Sequence, residues 1–300
     1  MIIDCHGHLG NILYPGGGEL IFKMGVKKRF GIDFAAFSEW RLHAAMSDAV
    51  LGLLPKQITR GQRARNETAT LQNMRRSMDK AGVDKMVCLP VPPHVTFDDL
   101  RRAAEIDPGV IPFTGVDFTG DDDIQAVLRA DVAAGARGLK LHPVIQKEPL
   151  DSKRTLAAVE AFAVHDLPVL FHAGVFSYYL GAEASRNQVT SYGEIHYARN
   201  LVAAFPKVDF IVGHAGLFLV DDVTAMLKGY SNVYVDVTIQ SPATIRKLIE
   251  VFGPERVLYG SDWPWGYHIP AIKAVRKACK GDRTLENLIF FENAAGLLKV

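Results

Sequence analysis

The feature that most constrains the fold of this chain is a regular alternation of short apolar segments with longer segments of helical periodicity. The apolar segments are rich in β-branched residues, which favour strands. Such alternation predicts parallel strands joined by crossover helices. Eight strands are predicted: Ile2–Cys5, Lys85–Val91, Val110–Val116, Gly138–His142, Pro168–His172, Val208–His214, Val233–Val237 and Val257–Asp262. Eight such units indicate an α/β fold, a closed (β/α)8 barrel, and no GxGxxG turn of an open nucleotide-binding sheet follows the first strand.

The first connection departs from this regular spacing. It contains a glycine-rich turn and two predicted helices, Asp33–Leu54 and Glu67–Ala81. We interpret residues 9–80 as a helical insertion that caps the barrel mouth, with a packing or dimer arm as the alternative. No repeat, low-complexity tract or linker marks a second domain, so residues 1–300 are predicted to form a single barrel.

Charge and cysteine usage narrow the range of partners. With 34 basic and 33 acidic residues the formal net charge is +1, which provides no overall field to attract nucleic acid or an acidic membrane. Three widely spaced cysteines argue against a disulfide framework and a CxxC metal site. No segment approaches the roughly 18 apolar residues of a membrane span, and the first residues lack the features of a signal peptide. We therefore expect a cytoplasmic protein, a homo-oligomer such as a dimer, that acts on a small molecule.

Metal-binding side chains stand at the ends of four predicted strands. His6 and His8 follow the first strand, His172 ends the fifth, His214 ends the sixth and Asp262 ends the eighth. In a (β/α)8 barrel the C-terminal ends of the strands converge on one mouth, so these residues are expected to meet. Nitrogen and carboxylate ligands suit a divalent metal, with zinc preferred and manganese or iron(II) as alternatives. The other histidines considered, His43, His94 and His165, are predicted to be surface or loop residues.

Lys140 in the fourth strand raises a separate question. Strand alternation directs Leu139 and Leu141 towards the helices and Lys140 into the barrel, where an ammonium group is costly without compensation. One solution is an ion pair with Asp262 or with Asp4, which alternation places on the same face of the first strand as His6 and His8. The other is reaction with carbon dioxide to form a carbamate that bridges two metal ions. The neighbouring His142 is a metal ligand, a substrate contact or a rim residue.

Together these motifs resemble the amidohydrolase superfamily, and within it the amidohydrolase-2 branch of hydrolases, lactonases and decarboxylases. The resemblance extends from Asp4-x-His6-x-His8 to Gly260-Ser-Asp262-Trp-Pro and the closing Asn293-Ala-Ala-Gly. It implies that His6, His8, His172 and Asp262 bind the metal, and that His214 is a catalytic residue or a ligand of a second ion. The segment around Lys140 is similar to the lysine strand of dihydroorotase-like members, in which the lysine is carbamylated.

The favoured function is hydrolysis of an amide, lactone or ester bond in a small, carboxylated metabolite by metal-activated water. Asp262 is expected to act as general base and then acid, and His214 to stabilise the developing oxyanion. Candidate substrate contacts are His142, Tyr178, Trp265 and Arg186, the last as a carboxylate clamp. The alternatives are nonoxidative decarboxylation of an aromatic or muconate-like acid at one metal, and a noncatalytic metal-binding barrel.

Overall fold

The computed structural model describes residues 1–28 and 55–300. Within these residues nine short strands follow one another in chain order and pair in parallel in groups of three and six, and the third predicted strand is divided between the two groups at Phe113. The amide of Phe113 donates a 3.1 Å hydrogen bond to the Cys88 carbonyl. The segments on either side of Phe113 therefore occupy a single strand position in the barrel. The strands are β1 (Ile3–Gly7), β2 (Lys85–Cys88), β3 (Val110–Pro112), β4 (Thr114–Gly115), β5 (Leu139–Leu141), β6 (Val169–His172), β7 (Phe210–Gly213), β8 (Val233–Asp236) and β9 (Val257–Leu258).

The last strand closes the barrel against the first. The Cys5 amide donates to the Tyr259 carbonyl at 2.9 Å, the His8 amide donates to the Trp263 carbonyl at 2.7 Å, and Gly7 pairs in parallel with Trp263. The predicted (β/α)8 barrel is thereby confirmed. Several strands end earlier than predicted. One of them, β2, ends at Cys88, shortly before Pro90, which lacks the amide hydrogen that a strand ladder needs.

Helices follow the strands and pack outside the barrel. Hydroxyl side chains of Thr70, Thr96, Ser152 and Ser241 accept backbone hydrogen bonds at the starts of four of them. The α-helices are Pro55–Asn66, Leu71–Ala81, Phe97–Ile106, Ile124–Ala133, Pro143–Gln146, Lys153–Ala163, Ala184–Asn187, Ile195–Ala204, Val220–Leu227, Pro242–Phe252, His268–Cys279, Arg283–Asn287 and Asn293–Leu298. Short 3₁₀ segments lie at Gly17–Phe22, Gly181–Glu183, Thr190–Gly193, His214–Gly216 and Pro254–Arg256, and a π segment at Leu288–Glu292. The predicted helix Asp33–Leu54 lies outside the described residues, and the predicted helix Glu67–Ala81 begins later, at Leu71.

A β-bulge in β1 changes which side chains enter the barrel. Asp4 pairs with Met86 and Gly7 with Cys88, so two residues, Cys5 and His6, stand opposite one. The expectation that Asp4 shares a face with His6 and His8 is therefore wrong. The Asp4 carboxylate lies against His268 at the start of an outer helix, and His6 and His8 approach Asp262.

The described part of the predicted insertion contacts the loop that follows β6. Thr59 of the helix Pro55–Asn66 donates a 3.1 Å hydrogen bond to the Ser177 carbonyl, and Arg63 of the same helix lies 3.1 Å from the Glu183 carboxylate. This helix therefore packs beside the C-terminal ends of the strands, which is where a cap would lie.

Candidate metal centre

Three side chains from the two strands that close the barrel converge at its mouth. Asp262 Oδ1 lies 3.4 Å from His8 Nε2 and 3.7 Å from His6 Nε2. All three residues are buried, and their ligand atoms lie within 4.8 Å of one another. Ligands at the 2.0 to 2.1 Å bond lengths of zinc stand about 3.4 Å apart in a tetrahedron. The spacing of these atoms therefore suits a single divalent ion.

Hydrogen bonds on the far side of each imidazole turn its free nitrogen towards this point. His6 Nδ1 lies 2.8 Å from Asp236 Oδ2, and His8 Nδ1 lies 3.0 Å from the Leu89 carbonyl. Both Nδ1 atoms face acceptors, so they carry the hydrogens and the Nε2 lone pairs face Asp262. Burial and the nearby Lys140 ammonium hold the pKa of His6 well below its usual range and lower that of His8 to about 3. Both rings are neutral near pH 7, as metal binding requires.

The Asp262 carboxylate is buried, and its backbone is tied to that of His6. Its backbone has φ 59°, and its amide donates a 2.7 Å hydrogen bond to the His6 carbonyl, which fixes the two candidate ligands together. Burial raises the pKa of Asp262 well above its usual value, and Lys140 partly opposes this shift. Asp262 Oδ1 and His6 Nε2 are buried without a hydrogen-bond partner among the described residues. A cation bound between them would satisfy both atoms, so the site fits a metal ion.

His214 completes this side of the mouth from a strained turn after β7. His214 and Ala215 have φ 60° and 45°, and His214 Nδ1 lies 4.0 Å from Asp262 Oδ2. The turn is held from both sides: Asp236 Oδ1 accepts from the His214 amide at 3.0 Å, and the Gln240 amide group donates to the carbonyls of His214 and Leu217 at 2.7 and 3.0 Å. Strain of this kind is maintained only where its surroundings impose it. Asp236 and Gln240 were not singled out from the sequence.

Lys140 lies within the barrel, 1% exposed, and its Nζ has no hydrogen-bond partner among the described residues. An ion pair with Asp4 is excluded, because the oxygens of Asp4 face Ser261, the His6 amide and His268. No ion pair within 4.0 Å joins Lys140 to Asp262 in the part of the chain that the structure describes. Burial lowers the pKa of Lys140 to about 7, although the carboxylates of Asp262 and Asp236 act in the opposite direction.

His172 lies beside the three convergent side chains without joining them. Its ring is 5.1 Å from that of His214, but Nε2 lies 3.0 Å from the Gly174 carbonyl and Nδ1 lies 3.3 Å from the Tyr178 hydroxyl. His142 stacks on His172 at 4.4 Å, and its Nδ1 accepts a 3.4 Å hydrogen bond from the Ile145 amide. His142 therefore belongs to the wall of the site in this structure.

Aromatic side chains continue this wall. The rings of Tyr178 and Trp265 meet edge to face at 5.5 Å, and both residues are buried. The indole Nε1 of Trp265 has no hydrogen-bond partner among the described residues, so it is a donor that a bound molecule can use. Tyr178 lies beside His142 and His172, and contact of Tyr178 and Trp265 with a substrate stays a prediction.

Two arginines, Arg186 and Arg65, differ in their burial and in their position relative to Asp262. Arg186 is exposed on the short helix Ala184–Asn187, outside the group around Asp262, so its predicted role as a carboxylate clamp is not supported. Arg65 is instead 2% exposed on the helix Pro55–Asn66, its guanidinium lies 4.8 Å from the Tyr267 ring centroid, and its charge acts on Asp262. Arg65 was not predicted as a site residue, because its position depends on how the helix Pro55–Asn66 packs against the barrel, and the sequence pattern does not give that packing.

A family comparison agrees with this geometry. Residues 3–299 match the family described as amidohydrolase. The chain belongs to the amidohydrolase family. This confirms the resemblance inferred from the Asp4-x-His6-x-His8 and Gly260-Ser-Asp262 motifs. No curated protein matches the sequence.

Solved structures with the same fold align with this amidohydrolase-family chain over nearly its whole length. A 5-carboxyvanillate decarboxylase from Novosphingobium aromaticivorans, complexed with manganese, is 16% identical with a TM-score of 0.68 and covers 100% of this chain and 96% of its own. An uncharacterised TIM-barrel protein from Bordetella bronchiseptica is 16% identical with a TM-score of 0.67, covering 99% and 98%. A probable 2-pyrone-4,6-dicarboxylic acid hydrolase from Acinetobacter baumannii, with citric acid bound, is 15% identical with a TM-score of 0.60, covering 100% and 99%. These similarities establish the fold.

None of the described helices has both the length and the apolar character needed to cross a bilayer.

Proposed function

We propose that this protein is a metal-dependent hydrolase that cleaves an amide, lactone or ester bond in a small, carboxylated metabolite. The observation that carries the proposal is the position of Lys140, a buried amine without a partner among the described residues, whose charge acts on His6, His8 and Asp262. A lysine with a pKa near 7 is partly neutral at physiological pH and can react with carbon dioxide to form a carbamate. The resulting anion would complete an oxygen and nitrogen ligand set.

The candidate ligands are His6, His8 and Asp262, with carbamylated Lys140 and His172 as further ligands if two ions bind. A divalent ion held there would polarise a substrate carbonyl and increase the acidity of a water molecule. Zinc is our first choice from the nitrogen and oxygen donors. Manganese is the main alternative, in view of the manganese in the structurally similar 5-carboxyvanillate decarboxylase.

Two side chains supply the proton transfer and the charge stabilisation. The Asp262 carboxylate, next to the candidate metal position, would accept a proton from the attacking water and return it to the leaving group. His214 is neutral, because burial and the nearby His6 ring lower its pKa, and its Nδ1 has no partner among the described residues. An Nδ1–H there can donate to the carbonyl oxygen as negative charge develops on it.

Arg65 is the group that we assign to a carboxylate of the substrate. It is buried in the same neighbourhood as Asp262, and stacking on Tyr267 limits its movement. A planar guanidinium can bind a carboxylate through two parallel hydrogen bonds. Tyr178 and Trp265 then offer an apolar wall with two polar atoms for the remainder of the molecule.

Decarboxylation of an aromatic acid is the second candidate. One observation favours it: among the described residues, His6, His8 and Asp262 form a cluster for one ion, whereas in the other cluster Asp236 already bonds to His6 Nδ1 and accepts from the His214 backbone amide. Two structural neighbours, the 5-carboxyvanillate decarboxylase and a 2,6-dihydroxybenzoate decarboxylase, carry out such a reaction by name.

Metal content, intact mass and activity together test these candidates. Hydrolysis predicts turnover of lactones, amides or esters in a substrate panel, and a carbamate predicts a mass increment of one carbon dioxide that Lys140→Met abolishes. Asp262→Asn should fold normally and lose turnover, while Asp79→Asn, at an exposed helix position, should behave as wild type. Conversion of aromatic acids with release of carbon dioxide, one metal and unmodified Lys140 would contradict hydrolysis and support decarboxylation. Normal activity of Asp262→Asn would contradict both.

A further inference from the structure

A buried carboxylate outside the metal centre joins the two strands that supply the candidate ligands. Asp4 Oδ1 accepts hydrogen bonds from the amides of His6 and Ser261, both at 3.0 Å, and Oδ2 accepts from the Ser261 hydroxyl. Asp4 is fully buried. His6 is a candidate ligand itself, and Ser261 immediately precedes Asp262. The position of the Asp4 carboxylate therefore fixes the distance between the backbone at His6 and the backbone at Ser261, next to Asp262.

His268 faces this carboxylate from the helix layer. Its Nε2 lies 3.2 Å from Asp4 Oδ2, at ion-pair distance but without the alignment of a full hydrogen bond. Its Nδ1 lies 2.9 Å from the Ser77 hydroxyl, and its ring is parallel to that of Trp263 at 6.4 Å. His268 is 1% exposed. Within residues 1–28 and 55–300, it is the one basic side chain at ion-pair distance from Asp4.

Ser77, His268 and Asp4 are the residue types of a hydrolytic triad, but their arrangement does not suit nucleophilic catalysis. The Asp4 oxygens already bond to the backbone of β1 and of the segment after β9, and Ser77 belongs to the outer helix Leu71–Ala81. A triad nucleophile must be open to substrate beside an oxyanion site. The network instead connects two outer helices with the backbone of the metal centre.

We propose that His268 is a positioning residue for the metal site, which acts through Asp4 to fix His6 relative to Asp262. The inference rests on the proposed metal-dependent function. In metal sites, the partners that orient the ligands typically change metal affinity or activity about 10- to 100-fold when they are removed. Here the effect passes through the backbone: without His268, Asp4 Oδ2 keeps the Ser261 hydroxyl but loses its contact with the helix layer, and the acceptor of the His6 and Ser261 amides is less firmly fixed.

The test compares zinc(II) binding by wild type, His268→Leu, His268→Gln and His165→Leu in competition with a chelator. His268→Leu should raise the zinc dissociation constant about 10- to 100-fold, and His268→Gln, whose side-chain amide can still donate to Asp4, should recover at least half of this loss on a logarithmic scale. His165→Leu changes a histidine outside the network and should bind as wild type. The visible absorption of cobalt(II)-loaded protein should shift in His268→Leu, since a changed ligand geometry alters these bands and a general loss of stability does not.

Circular dichroism and urea unfolding establish whether each variant folds. If His268→Leu fails to fold, the comparison moves to His268→Gln and Ser77→Ala, both of which should bind zinc more weakly than wild type with altered cobalt spectra. Equal zinc affinity and identical cobalt spectra in wild type and the folded His268 variants would overturn this inference and leave the proposed function standing. A wild-type protein that binds no metal would overturn both.

Discussion

Replacing Lys140 by Met should stabilise the metal-free protein at low pH. Burial lowers the pKa of Lys140 from 10.5 to about 7 in the folded chain, so the unfolded chain holds this proton more tightly. Stability therefore rises with pH between about 7 and about 10.5, and the buried ammonium destabilises the fold fully below that range. At about 1.4 kcal/mol per pKa unit, the penalty is about 5 kcal/mol at pH 6 and falls to about 1 kcal/mol at pH 9.5. Met has a similar length and carries no such charge.

Urea unfolding of chelator-treated protein in carbon-dioxide-free buffer measures this difference. Between pH 6 and pH 9.5 the wild type should gain about 3 to 4 kcal/mol of unfolding free energy relative to Lys140→Met. Lys153→Met, which removes an exposed lysine at the start of a helix, controls for a general effect of lost charge. If the curves of wild type and Lys140→Met stay parallel over this pH range, Lys140 does not hold a strongly lowered pKa and the argument for its reactivity fails.

Three other variants and a chelator test the remaining features. Asp236→Asn can place an amide donor against His6 Nδ1, which would reverse the tautomer and weaken metal binding about 10- to 100-fold in a chelator competition; unchanged affinity would contradict the role of Asp236. Gln240→Leu leaves the carbonyls of His214 and Leu217 without their donor, and urea unfolding should show a loss of about 1 to 3 kcal/mol, accompanied by a lower kcat. Arg65→Met should raise KM for a carboxylated substrate and leave KM for its neutral analogue unchanged, whereas an equal rise for both would point to a packing role. Removal of metal should abolish turnover and added metal should restore it; activity that survives exhaustive chelation would contradict metal dependence.

The barrel could be predicted from the sequence because strand and helix signals alternate in nearly every unit. His6, His8 and Asp262 could be grouped for a related reason: parallel strands in a barrel bring their C-terminal ends to one mouth. The same rule, applied to Val233–Val237, would have indicated Asp236, which ends β8 and bonds to His6. Its role as a hydrogen-bond partner depends on side-chain distances that periodicity does not give.

Other features depend on information that a single strand does not contain. The bulge that separates Asp4 from His6 arises in the pairing of β1 with β2, so alternation within β1 could not predict it. The burial of Arg65 depends on how the first connection packs against Tyr267. His172 was placed correctly at a strand end, but its orientation is set by the Gly174 carbonyl and the Tyr178 hydroxyl in the loop that follows.

Closure of the barrel has a consequence for the order in which the site is assembled. Asp4 and Ser261 lie 257 positions apart, yet they form one hydrogen-bonded unit between the candidate ligands. During synthesis on the ribosome, His6 and His8 emerge long before Asp262 exists. The proposed metal site can therefore form only after the eighth barrel unit docks on the first, and a nascent chain cut short before that point would lack one of its three candidate ligands.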